Sequence, residues 1–587
     1  MSLKRIPYGI SNFKALIDDD MYYVDKSKYL ENLEKKDKYQ VFIRPRRFGK
    51  SLFLTMMETY YDINESKHFD KYFGNLYIGK NKTVEANKYL VLKLSFANVI
   101  TNLGIDKLIE SFDRIVAGEV DSCIIKYSDV LQTQRLPDHE KKATYALDYL
   151  KRTLKILNKK LILLIDEYDN FANNIMGKNR ILYDDLVHEG GYIRTFYKGI
   201  KEGTADGVIA RTFITGVSPI MLDDITSGAN IFTITASDED LNAIMGFTGA
   251  EIINLLDYYK TDEIVDRQEL MNILKVYCNG YKFNKRIEQT VYNTDMVLYI
   301  INNIIQKGGY PDTFIDENVK TDYGRLKNIA ENFITKEELI HMIEGREVGP
   351  VEIKERFNLE SLYKGDEKER NIKSFLYYLG MLTISRSLGN KVILKVPNYS
   401  VKTLYWEYMS KAYEIEKSSS YEELAKAMDS MRIDGNITDI MTIYANVISR
   451  LSSRDLSYFN EASCKSIFIT LAYTDGIYLI ASEREASGGY SDLYLKENVI
   501  YKEFVIYRYI IEFKHIKVGS LKGDIHTLSY EELTKNNKSL IEATEKEAIS
   551  QLENYIKDYN VLHDSDKVLK KFIVITIGQK YVKYKFV

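Results

Sequence analysis

Cysteine is nearly missing from this chain, with three in 587 residues: Cys123, Cys278 and Cys464. They lie far apart and keep no ligand spacing, so neither a disulfide framework nor a zinc cluster is expected. No apolar run approaches the roughly 18 residues that span a bilayer, and the first residues lack the apolar segment of a secretory signal. No membrane association is expected, and a reducing cytoplasm is. A surplus of either charge is also lacking: 81 Lys and Arg stand against 84 Asp and Glu. That balance excludes a globally basic nucleic-acid binder, so any contact with DNA or RNA has to be local. There are only seven histidines, and none pairs with a serine or cysteine as an activated nucleophile. Trp406, the single tryptophan, is expected to fill a core in the helix after Pro397. Tyrosine, lysine, isoleucine and asparagine are abundant, which reads as an A/T-rich coding bias rather than a stacking surface. The length allows two to four domains with full cores.

What is present concentrates in two places. Near the C-terminus, 505–516 (VIYRYIIEFKHI) is apolar, β-branched and aromatic, and reads as a buried strand. Glu512 and Lys514 sit at period two on it and leave the same face, while His515 points to the other and is expected to pack. A strand this apolar has little reason to send two opposite charges to one side unless something there uses them. Asp492 lies in GGYSDLYL, where Gly488 and Gly489 turn the chain and a second strand begins. Phosphodiester hydrolysis requires Mg²⁺ or a similar hard ion on carboxylate oxygens, which Asp492 and Glu512 supply. Lys514 is suited to orient the attacking water or to stabilise the pentavalent phosphate. The plainer alternative is a strand ion pair worth under roughly 1 kcal/mol.

Near the N-terminus, 38–43 reads as a strand, followed by Arg44-Pro45-Arg46-Arg47-Phe48-Gly49-Lys50-Ser51 and then helical periodicity over 52–61. Strand, loop and helix in this order make a phosphate cradle. Backbone amides and the helix start surround the phosphates, Lys50 supplies a point charge and Ser51 a hydroxyl for Mg²⁺. Gly49 allows the tight turn, and Arg46 and Arg47 are placed to meet the nucleotide's phosphates or those of a neighbouring subunit. The pattern asks for glycine at Arg44, which is a departure. The stretch 160–170 (KLILLIDEYDN) reads as a buried parallel strand whose end presents Asp166 for Mg²⁺ and Glu167 to polarise the hydrolytic water. A third strand, 208–215, ends at FITGVSP, where Thr215 or Ser218 is positioned to sense a γ-phosphate.

The C-terminal residues resemble the PD-(D/E)XK nuclease superfamily, whose core is a helix, three strands, a helix and a further strand. A leading helix is expected over 457–473, strands over 477–484, 491–495 and 505–516, an amphipathic helix over 542–558 and a closing strand over 571–577. The resemblance implies a further acid at Glu461 and a glutamine, Gln551, facing the site from the side that also carries Ala548, Leu552 and Tyr555. The tail 567–585 reads as the solvated face of closing strands rather than a nucleic-acid groove.

The segments Ile6-Pro7-Tyr8-Gly9-Ile10, Tyr23-Val24-Asp25-Lys26, RPRRFGKS, LLIDEYDN and ITGVSP together look like the AAA-ATPase-like family that is often fused to such a nuclease domain in bacteria. Tyr281-Lys282-Phe283, Val291-Tyr292-Asn293 and Val396-Pro397-Asn398 also recur in that family, whereas Ser400 stands where it often has an acid. The family commonly carries Pro-Arg-Arg in this loop, so the resemblance implies that Arg44 does not abolish nucleotide binding. Paired helices are expected over 248–259 and 266–277. A helix with hairpin over 371–396 suggests a winged helix, more a spacer than a DNA reader, and Ser418 to Ser420 a hinge.

The expected class is α/β: a P-loop NTPase (AAA-like) core with a parallel sheet over 1–250, a helical and winged-helix-like region over 251–415, and a restriction-endonuclease-like α/β domain over 416–587. The expected activity is ATP binding and hydrolysis gating Mg²⁺-dependent cleavage of nucleic acid, DNA more than RNA, with homo-oligomerisation through the ATPase-like part. The competing expectation is an ATP-dependent signalling or assembly switch with a silent nuclease fold.

Overall fold

A computed structural model describes residues 3–176, 180–187, 190–222, 231–321, 334–451, 459–473, 476–486, 489–558 and 565–587, with Asp492 among those described by backbone alone. The chain forms two compact units: Met1–Phe333 with Gly349–Tyr399, and Ile334–Val348 with Ser400–Val587.

The first unit is built on a five-stranded sheet of order β2-β3-β4-β1-β5. Its strands are β1 (Tyr39–Ile43), β2 (Leu90–Ser95), β3 (Leu161–Asp166), β4 (Ile209–Gly216) and β5 (Thr233–Ile234). Every pairing is parallel. All residues of β3 are buried, which is why its sequence is a continuous apolar run rather than an alternation. The parallel register places the C-terminal ends of β1, β3 and β4 on one edge, pairing Phe42 with Thr215 and Ser95 with Asp166. Ligands of open α/β sheets gather at that edge. The paired helices are found at Gly249–Tyr259 and Arg267–Cys278, each started by a side-chain cap, from Thr248 and Asp266.

The expected helix and hairpin are the helix Lys368–Tyr378 with β7 (Thr383–Leu388) and β8 (Lys391–Lys395). A strand not anticipated, β6 (Val348–Val351), joins the outer edge of β8. Residues 349–399 pack within the first unit rather than standing apart. The Tyr377 hydroxyl donates to the Phe283 carbonyl at 3.0 Å, and Gly380 lies so close to Pro45 that an added Cβ would meet its ring at 2.8 Å.

The second unit carries a mixed sheet of order β13-β12-β11-β10-β9. Its strands are β9 (Tyr478–Ala486), β10 (Gly489–Glu497), β11 (Tyr507–Ile516), β12 (Val568–Ile577) and β13 (Tyr581–Phe586). Only β11 and β12 run parallel. Strand alternation sorts β11 cleanly. Ile510 and Ile516 join Ala548 and Leu552 of the helix Lys538–Asp558 in one core. Phe513 packs instead on Phe468 of the helix Glu461–Tyr473, the two rings tilted by 58° with centroids 5.6 Å apart. Trp406 is buried against Tyr473, ring centroids 4.9 Å apart, as expected. The tail closes the sheet, with Lys583 and Lys585 both bound to Glu545 at 2.7 and 2.6 Å. The serine run expected as a hinge lies inside this unit, where Ser420 forms a capping box with Glu423.

Candidate functional sites

In the first unit, β1 delivers the chain into the loop that ends at Gly49, whose φ of +90° strongly favours glycine, and the helix Lys50–Tyr61 starts directly after it. Lys50 is buried and folds back on the loop, donating to the carbonyls of Arg44 at 3.0 Å and Pro45 at 2.8 Å. Burial pulls its pKa down to about 8. The Ser51 hydroxyl donates to Asp166 Oδ2 at 2.6 Å, so the two motifs, 115 residues apart, meet. Glu167 follows with φ +51°, and burial, reinforced by the Asp166 charge, raises its pKa. A cavity of about 960 Å³ opens over the loop, lined by Arg46, Arg47, Gly49, Lys50, Ser51 and Glu167, together with Gly9 and Tyr23 from the N-terminal motifs.

Three features of this site differ from the sequence reading or were missed by it. Thr215, expected as a γ-phosphate sensor, is fully buried in β4 and is not in the cavity wall, and the Ser218 hydroxyl is turned to Asn173 at 3.1 Å; Val217 lines the cavity instead. Asp169, to which no role was given, accepts the backbone N–H groups of Val217 at 3.1 Å and Ser218 at 2.6 Å. It thereby ties LLIDEYDN to ITGVSP, and a side chain at Gly216 would strike its carboxylate. Arg47 pairs with Asp295 at 3.1 Å, at the start of the helix Thr294–Lys307.

Arg44 is not a phosphate ligand in waiting. It is buried, with its guanidinium 4.4 Å from the Phe42 ring and 4.0 Å from that of Phe283. It donates to the carbonyls of Ile43, Ala236 and Leu241 at 3.0, 2.6 and 3.0 Å. Burial lowers its pKa to about 9. Arg44 thus ties the loop to the segment after β5, a task that glycine at this position cannot perform. Restoring the glycine, Arg44→Gly, orphans those carbonyls and is expected to cost about 3 kcal/mol or more in urea unfolding. A variant as stable as the wild type would show that the wedge does nothing.

In the second unit, Lys514 Nζ lies 3.2 Å from Glu512 Oε1 and 3.5 Å from Glu461 Oε1. Glu512 is 1% exposed, while the Glu461 side chain, on the first turn of its helix, is 43% exposed. One carboxylate is therefore embedded and the other reaches solvent, with the ammonium between them. Asp492 precedes Leu493 on β10, and Leu493 pairs with Ile511 on the antiparallel neighbour, so the register carries the Asp492 backbone alongside Glu512. The Asp492 side chain lies outside the described residues. Gln551 is on the helix packed against this face of the sheet, and its amide donates to Glu547 at 3.5 Å, one turn back. His515 faces the other side, against the Phe459 ring and 2.8 Å from the Thr576 hydroxyl, and burial lowers its pKa to about 4. Among the described residues no group of three or more His, Cys, Asp or Glu side chains forms a ready metal cage. Glu512 and Glu461, each within 3.5 Å of Lys514 Nζ, are hard-oxygen donors of the kind a divalent cation takes, and the Asp492 backbone runs alongside on the neighbouring strand. Among the described residues no helix is long and apolar enough to cross a membrane.

Comparison with known proteins gives these sites a family setting. An uncharacterized protein in the vnfD 5′ region of Azotobacter chroococcum mcd 1 is 25% identical over 296 residues, 50% of this chain and 51% of that protein. The chain thus spans about half the length of the curated relative it matches. The ORC2 protein of Aeropyrum pernix, solved in ADPNP-ADP complexes, is 11% identical with a TM-score of 0.31, over 68% of this chain and 94% of that one. Cdc6p of Pyrobaculum aerophilum is 10% identical with a TM-score of 0.25, over 66% and 94%. Likenesses this low carry no functional weight. Residues 7–226 match the family described as predicted AAA-ATPase, and residues 459–586 match the PD-(D/E)XK nuclease superfamily. The chain therefore carries a predicted AAA-ATPase region followed by a PD-(D/E)XK nuclease superfamily region.

Proposed function

We propose that this protein is an ATP-binding and ATP-hydrolysing switch that gates a Mg²⁺-dependent nuclease acting on DNA in preference to RNA, in the cytoplasm and as a homo-oligomer through its ATPase-like region. The observation that carries the reading is the Lys514 ammonium held between Glu512 and Glu461, on a sheet whose next strand includes Asp492.

In the nuclease region, Glu512 and Asp492 would hold the cation, with Glu461 at the solvent side. When bound, such an ion acidifies a water and neutralises charge on the scissile phosphate. Lys514 has two tasks: it holds Glu512 in place and presents an ammonium to the phosphate as charge develops on it. In the ATPase region, Ser51 and Asp166 would hold Mg²⁺, and Lys50 would leave its loop carbonyls for the β- and γ-phosphates. Arg46 and Arg47 stand at the cavity wall for the same anion. Glu167, with its raised pKa, is the group that takes a proton from the attacking water.

The protein is tested against labelled DNA and RNA with Mg²⁺ or Mn²⁺, with and without ATP. Metal-dependent cleavage of DNA whose rate responds to ATP is expected. Equal inertness of the wild type and a Glu512 variant under every condition would remove the nuclease. One observation favours the silent alternative: a buried Glu512–Lys514 pair at 3.2 Å is also a self-sufficient structural contact. In that case ATP binds, no cation does, and the nuclease fold serves as a platform.

The depressed Lys50 pKa adds a pH test. Its charged form is disfavoured in the folded protein, so between about 8 and the ordinary 10.5 the native state holds fewer protons than the unfolded one, and stability from this group rises with pH there. Phosphates restore the charge. ATP binding is therefore expected to take up a proton at pH 9 and much less of one at pH 7, read by calorimetry in buffers of different ionisation enthalpy. Equal uptake at both pH values would contradict a neutralised Lys50 in the empty site.

A further inference from the structure

The segment Ile334–Val348 belongs to the second unit, although the chain before it, to Phe333, and after it, from Gly349, belongs to the first. It is a short piece of ordered structure. Thr335 and Glu338 form a capping box that starts the helix Lys336–Ile343, Leu339 and Met342 are buried, and Glu344 caps the C-terminal end. The Glu344 carboxylate is 1% exposed. Its Oε1 is 3.0 Å from Lys465 Nζ and its Oε2 is 2.7 Å from Arg346 Nε. Lys465 is itself buried, one helical turn beyond Glu461 on the helix Glu461–Tyr473. Glu461 in turn reaches Lys514.

A buried ion pair is an expensive way to join two helices, because an apolar pair of similar volume holds as well or better. What the charges add is register, since sliding one helix along the other would pull apart a buried pair held at 3.0 Å. We infer that the segment 334–348 is the lever through which the first unit acts on the nuclease-like centre, and that the Glu344–Lys465 pair is its grip on the helix that carries Glu461. The inference rests on the nucleotide-gated reading above. Its last residue, Val348, opens β6, whose remaining residues belong to the first unit, so a rearrangement there reaches the segment through the chain. The element it holds sets whether Glu461 stands beside Lys514. Glu344 and Lys465 are positioning residues that act through the helix carrying Glu461.

The test is hydrogen exchange of the full chain at the amides of residues 461–465, with and without ATP and Mg²⁺, beside calorimetric measurement of ATP binding. In the wild type, ATP is expected to change exchange there by about fivefold or more. Lys465→Ala alone leaves Glu344 buried without that partner and risks unfolding. The double variant Glu344→Gln/Lys465→Met removes both charges at nearly constant volume; it is expected to bind ATP as the wild type does and to lose the response at 461–465. A response retained in the double variant overturns the inference, as does wild-type protein that binds ATP with no change at 461–465. Wild-type protein that does not bind ATP at all sinks the nucleotide reading instead, and the lever with it. Because the readout is exchange, an inert nuclease does not obscure it.

Discussion

Replacing Glu512 with glutamine is expected to lower metal-dependent cleavage by at least about 100-fold, the scale seen when one electrostatic stabiliser is taken from an active site. The substitution keeps the shape of a side chain that is 1% exposed, so packing against β12 is retained. It removes the charge that holds Lys514 at 3.2 Å and turns the carboxylate proposed to hold the cation into a neutral amide. Stability is expected to fall modestly, because the Lys514 ammonium keeps Glu461 as a partner at 3.5 Å. A cooperative melt near that of the wild type, together with lost cleavage, separates a chemical role from a structural one. Unchanged cleavage by Glu512→Gln would place the chemistry elsewhere or nowhere.

Lys50→Ala is expected to weaken ATP binding by about 10- to 100-fold, the equivalent of one or two hydrogen bonds to a charged group. The ammonium bonds to the carbonyls of Arg44 and Pro45, at 3.0 and 2.8 Å, and is largely withdrawn from water. Its removal relieves a buried charge but leaves the carbonyls of Arg44 and Pro45 without this donor, so the two effects oppose each other and the variant is expected to fold close to the wild type while binding worse. That contrast identifies a group kept for its ligand. Unchanged affinity, measured by calorimetry at pH 7, would show that the cavity does not take a triphosphate through this loop.

Much of this arrangement was legible because it is local. The strands β3 and β11 declare themselves as apolar runs, and period two alone puts Glu512 and Lys514 on one face and His515 on the other. Gly49 before a helical pattern fixes the loop, and the Ser51–Asp166 contact follows from where parallel strands end. What stayed hidden depends on distant partners. Arg44 reads as a defective glycine until Ala236, Leu241 and Phe283 are seen around it. Thr215 sits at the right strand end, but its side chain is buried rather than in the cavity wall, and no pattern separates those two outcomes. Asp169 could have been suspected as an acid following a strand end that already had its own. Gln551 lies on the expected helix, yet helical spacing fixes its turn and not the direction of its amide, which goes to Glu547. The middle of the chain was least legible, since nothing in the composition of 334–348 says that it leaves one unit for the other.

The central claim is that the last third of the chain assembles a cation site from Asp492, Glu512 and the acid beside Lys514. Titration of nucleotide-free protein with Mn²⁺, followed by electron paramagnetic resonance, measures that directly. The wild type is expected to bind one Mn²⁺ per chain that Glu512→Gln does not. Identical Mn²⁺ binding by the two proteins, or none by either, would contradict it.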